Sequence, residues 1–213
     1  MEFLLENILN LIGFLVGLVI GIMSFIGFKN TGSPTLFRLT IAFFSISIGF
    51  FVIWLGYMLE DFVLKSGSIE RGIQTIGIII QTVGYFFIAF SHSIKSFFPK
   101  SRYFRSIGIF PLFLVSSIQL EHIFRSVSFI LLAYGAIETI LSYIENKNKG
   151  TISIAVGLAL LALGEFLGWY SFVFPESIMY IMSMIIKIGG LIALFIPISK
   201  VPLTRIKFDE GLE

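Results

Sequence analysis

Long apolar stretches broken by short polar clusters run through the whole chain. Six runs, roughly 3–28, 36–59, 72–94, 123–144, 152–173 and 177–197, are almost uninterrupted by charge. About 20 apolar residues in a helix rising 1.5 Å per residue cross a hydrocarbon layer about 30 Å thick, so each run predicts a membrane-spanning helix. A shorter seventh run, about 104–120 ("FRSIGIFPLFLVSSIQL"), contains Pro111, which a membrane helix tolerates. The pattern predicts seven transmembrane helices; six with a re-entrant fourth segment is the alternative.

The polar clusters between the runs carry a directional signal. Eleven of the 15 basic residues fall at one set of ends, among them Lys29, Arg38, Lys147 and Lys200. Lys65, Arg71 and Arg125 fall at the opposite ends. Basic residues concentrate on the cytoplasmic side, so the N-terminus is expected outside and the C-terminus in the cytoplasm. An odd number of crossings is what this segregation requires. Composition agrees with a membrane location: 56% of the 213 residues are hydrophobic and only 13% charged, against about 25% charged in soluble domains. One transmembrane domain is expected, all-α and polytopic, with the lipid bilayer as its surroundings and no nucleic-acid partner.

Short motifs recur between the two halves. "KNTGS" (Lys29–Ser33) matches "KNKGT" (Lys147–Thr151), "LGY" (Leu55–Tyr57) matches "LGW" (Leu167–Trp169), and "IIQTVG" (Ile79–Gly84) matches "IIKIGG" (Ile185–Gly190). The offsets are 118, 112 and 106 residues. They predict a duplication of three helices (about 3–98), a linker helix (about 104–120) and three more (about 121–199). An odd linker makes the two repeats parallel.

Lys187, near the centre of the last run in "SMIIKIGGL" (Ser183–Leu191), is the residue most in need of an explanation. An ionisable side chain at mid-membrane depth is costly and is normally paired, water-lined or functional. The runs at 152–173 and 177–197 form a hairpin turning near Pro175–Glu176. Glu165 precedes that turn by as many residues as Lys187 follows it. Both then lie roughly 16 Å below the turn on adjacent antiparallel helices, and an ion pair between them is expected. Ser183, Lys187 and Gly190 share one helical stripe. Gly77, Gln81 and Gly84 repeat that spacing in the third run, which makes Gln81 the expected mate of Lys187 and a candidate lining residue of a shared polar cavity.

The three-plus-one-plus-three layout resembles SWEET sugar transporters, microbial rhodopsins and the seven-helix sensor regions of some histidine kinases. The rhodopsin resemblance rests on Lys187 in the last helix and implies retinal bound there. The chain departs from that pattern where the family has an acid four residues before the lysine, since Ser183 stands there. No acid lies between Gly72 and Ser91 in the third run, where the resemblance implies a counterion. The proline-containing repeat motif of SWEETs is also absent.

The remaining features sharpen the picture less. Gly13, Gly17 and Gly21 flatten one face of the first run for close helix packing, within the chain or in a homodimer. Lys95, Lys100, Arg102 and Arg105, interleaved with aromatics, form a basic interface expected at lipid headgroups or against a cytoplasmic signalling partner. His92 and His122 belong to opposite ends and cannot share a metal. Glu121, His122 and Arg125 form a small polar cluster at the outer end. There is no cysteine and no nucleophile elbow, zinc-protease or P-loop motif, so neither a metal nor an enzyme is expected. The expected function is a sensor or receptor-like module acting through a partner. The alternatives are a small-solute, anion-favouring transporter or channel, and a retinal protein using Lys187.

Overall fold

The structure, a computed structural model, describes residues 2–59, 67–93, 120–147, 149–174 and 177–200. These form six α-helices: α1 (Glu2–Thr31), α2 (Pro34–Leu59), α3 (Gly67–Ser93), α4 (Leu120–Asn146), α5 (Lys149–Val173) and α6 (Ser177–Ile198). All six are long and apolar enough to cross a membrane. The expected seventh segment, 104–120, lies outside the described residues except for Leu120, which opens α4. Lys95, Lys100, Arg102 and Arg105 lie outside them as well.

Helices are the outcome lipid imposes, because every backbone N–H and C=O must be satisfied within the segment. Hydroxyls follow the same rule: Thr40, Thr82, Ser91 and Thr139 each donate to the carbonyl four residues back. The α1–α2 turn is set by Gly32, whose φ of 66° closes α1 through Gly32 N–H to Phe28 O at 2.7 Å. Pro34 opens α2, where its missing N–H costs nothing. The α4–α5 turn has the same form with Lys147 at φ 49°, donating its N–H to Tyr143 O at 2.7 Å.

Each helix packs on its successor, and α1 closes the ring against α6. Gly13, Gly17 and Gly21 face α2; a Cβ at each would stand 2.9–3.3 Å from Phe50, Ser47 and Phe44. That face is therefore covered within the chain. The α2–α3 and α5–α6 pairs approach closely, with Gly77 on the Gly49 carbonyl and Gly190 on the Gly157 carbonyl. Consecutive helices run antiparallel with one exception. Thr82 bonds Ser128 at 2.9 Å and Gly135 approaches Ala89, so α3 and α4 are parallel. The upper end of the bundle is accordingly where α1, α3, α4 and α6 begin and α2 and α5 end.

The buried charges sit apart from most of the apolar core. Ile20, Phe43, Ile46, Phe50, Ile88, Leu132, Leu158, Leu161, Leu191 and Leu194 belong to one apolar cluster drawn from all six helices. Among the described residues the buried charged side chains, Glu121, Arg125, Glu165 and Lys187, lie from the middle of the bundle to its upper end.

Candidate functional site: a buried four-charge network

Three helices supply the charges. Lys187 Nζ on α6 lies 2.6 Å from Glu165 Oε1 on α5. The other carboxylate oxygen of Glu165 takes Arg125 Nη1 from α4 at 3.5 Å. Arg125 in turn holds Glu121, one turn earlier on α4, through Nε and Nη2, each 3.0 Å from Oε1. All four side chains are at most 7% exposed. Signs alternate along the chain of contacts, so the network is formally neutral. Neutrality is what makes the burial tolerable: two opposite charges compensate part of each other's lost hydration, whereas one alone would not.

Glycines on α5 make the room. A Cβ at Gly164 would lie 2.5 Å from Lys187 Cγ, and one at Gly168 would collide with Arg125 Nη1. Ser183 ties α6 to the same stretch by donating to the Gly164 carbonyl at 2.7 Å. Tyr85 on α3, fully buried, directs its hydroxyl toward Glu165 without completing a hydrogen bond of good geometry. Toward the upper end Tyr57 on α2 lies within hydrogen-bonding reach of Glu6 on α1 and Tyr180 on α6. Every helix thus contributes a polar group to this half of the bundle.

The depth argument from the hairpin places Glu165 opposite Lys187, and the two are in contact. Arg125 is different. Its sequence position assigns it to the outer end, yet its side chain is buried and reaches inward to Glu165. The sequence signals for this were Glu121 four residues earlier and Gly168 three residues after Glu165. Gln81 is buried at the α2–α3 crossing against Gly49, and its Nε2 has no hydrogen-bond partner among the described residues. Among the described residues no hydrogen bond or ion pair is seen between it and Lys187. His122 is buried beside Glu121 at the head of α4. Among the described residues no group of His, Asp or Glu has the arrangement of a metal site.

Fold and site together define, among the described residues, a bundle of six helices long and apolar enough to cross a membrane, with a buried neutral charge network joining three of them. Comparison with protein-family models, curated proteins and solved structures finds no match.

Proposed function

We propose that this chain is a seven-crossing membrane sensor or receptor-like module that signals through a partner. The Glu121–Arg125–Glu165–Lys187 network is its two-state element. The observation that carries this reading is the network itself, which joins α4, α5 and α6 beside a core packed with apolar side chains. Rearranging the ion pairs releases α6, and α6 leads directly into the C-terminal tail.

The topology belongs to the same proposal. Parallel α3 and α4 leave Ser93 and Leu120 at opposite ends of the bundle. Ends placed in this way support the proposal of seven crossings over six. The two three-helix halves then run parallel, as a three-plus-one-plus-three duplication requires. Lys29, Arg38, Lys147 and Lys200 all belong to the lower end, and the tendency of basic residues to lie on the cytoplasmic side supports the reading that this end is cytoplasmic and the N-terminus outside.

The test uses the absence of cysteine. Spin labels on Leu141→Cys and Ile192→Cys, both exposed positions on α4 and α6, report the separation of these helices in reconstituted protein. Two distance populations whose ratio changes with outside pH, and a single population in Lys187→Met, are expected. One unchanging population in the wild type overturns the two-state role. Anion flux in liposomes, abolished by Lys187→Met, replaces the sensor with a transporter. The parallel pairing of two halves is what favours that second reading.

A further inference from the structure

The two halves of the bundle repeat one another in contacts. Phe14, Phe51 and Trp54 form a ring series, with Phe14–Phe51 centroids 5.0 Å apart and tilted and Phe51–Trp54 5.6 Å apart and stacked. Phe129, Phe166 and Trp169 form the same series at 5.8 Å, tilted, and 6.1 Å, stacked. Each member of the second lies 115 residues after its mate in the first. The positive-φ turn residues Gly32 and Lys147 are separated by the same number. Between α3 and α6 the offset is 106 residues. Gly84 packs on Ala42 and Ile46 as Gly190 packs on Gly157 and Leu161; Gln81 packs on Gly49 as Lys187 packs on Gly164. These pairs obey both offsets at once. The register also corrects the one from short motifs, whose 118 and 112 become a single 115 over α1, α2 and their turn. It aligns "LENILN" (Leu5–Asn10) with "LEHIFR" (Leu120–Arg125) and "GFFVIW" (Gly49–Trp54) with "GEFLGW" (Gly164–Trp169).

We infer that the charge network is one of two equivalent half-sites, and that Glu6, Asn10, Phe50 and Gln81 form the second, which keeps only the half-buried acid Glu6 of the four charges. They are the mates of Glu121, Arg125, Glu165 and Lys187 in turn. This rests on the duplication proposed above and adds to it which residues correspond. The acid at the head of the first helix is kept in both halves. The other three charges, at positions that are fully buried, are replaced together by Asn, Phe and Gln, because any one of these retained alone would be buried without its partner, whereas Glu6 is only half-buried. Sizes follow. Arg125 faces Gly168, whereas Asn10 has Ile53 at the matching place on α2, a large–small pair exchanged for a small–large one. Glycine is retained beside the long polar residue in both halves, Gly49 for Gln81 and Gly164 for Lys187. The first half is therefore shaped to accept a lysine. The active asymmetry of the protein lies in which half carries charge.

Two measurements test this separately. The duplication predicts equal spin-label distances for equivalent pairs at exposed positions. Phe25→Cys/Ile76→Cys should match Ile140→Cys/Met182→Cys, and Phe25→Cys/Met182→Cys should match Ile140→Cys/Ile76→Cys. A difference wider than the distance distributions in either comparison overturns the duplication. The half-site predicts that Phe50→Glu and Gln81→Lys each lower the thermal midpoint, while the two together recover at least half of the summed loss. Should neither single variant accumulate in membranes, accumulation of the double variant is the expected result. Lack of recovery, or equal recovery when the acid is moved one turn to Ile46→Glu, overturns the half-site. Equal distances without recovery leave the duplication standing and remove only the half-site.

Discussion

Lys187 and Glu165 show what a buried pair is worth only when one member is removed. Lys187→Met leaves the Glu165 carboxylate leaning on Arg125 alone, and Glu165→Gln leaves two cations on one carboxylate. Loss of one partner from a buried pair costs about 3–5 kcal/mol, while replacing both by neutral residues of similar shape is often nearly neutral. Each single variant is expected to lower the thermal midpoint in detergent strongly, and Glu165→Gln/Lys187→Met to lose less than either. Additive losses would mean that the contact contributes nothing of its own. The same lysine bears on retinal. Its ammonium is already held at 2.6 Å by Glu165, and a protonated amine is no nucleophile. Purified protein with added all-trans retinal is expected to show no visible band; a band lost in Lys187→Ala would replace the reading of Lys187 as a structural cation. The lysine and its acid could be read from sequence because a tight hairpin converts residue counts into depth. Arg125 could not, because its reach depends on a long side chain finding the space that Gly168 leaves on another helix.

At the scale of elements, hydropathy alone locates the six helices, since a run long enough to span is also long enough to register. The ends were less legible. α4 begins at Leu120 and not near 123, because Glu121 and Arg125 look like boundary residues until each is seen to satisfy the other inside the bundle. Turns matter in the same way. Lys147 holds φ 49°, a conformation that costs an L-residue with a Cβ about 1–2 kcal/mol. Its counterpart turn uses glycine. Lys147→Gly is expected to stabilise the protein by at most about 1 kcal/mol once the greater unfolded-state freedom of glycine is counted, read as a modestly higher thermal midpoint. A lower midpoint would show that the lysine side chain does something at that turn that outweighs the strain.

For the molecule as a whole, the informative feature is the parallel pairing of α3 and α4, which no hydropathy profile contains. The charge segregation along the sequence asks for an odd number of crossings, and the seven-crossing topology proposed above rests on the helix directions as well. Both give one expectation: Gly72, Leu120 and Phe174 share a side, and Lys147 belongs to the other. All four positions are exposed. With a membrane-impermeant thiol reagent applied to intact cells, Gly72→Cys, Leu120→Cys and Phe174→Cys should be labelled and Lys147→Cys should not. Labelling of Lys147→Cys alone would invert the orientation; labelling of Gly72→Cys without Leu120→Cys would break the seven-crossing topology.

The alternation of sign in the four-charge network also decides how the protein meets an electric field. A membrane potential does work of about 2.3 kcal/mol on each elementary charge carried through 100 mV. Displaced as one body, Glu121, Arg125, Glu165 and Lys187 carry no net charge and do no electrical work. Displaced apart, with α6 sliding against α4 and α5, Lys187 moves alone as a gating charge. Moved as one body the network is thus indifferent to voltage, and only a motion that separated its central pair would make it respond.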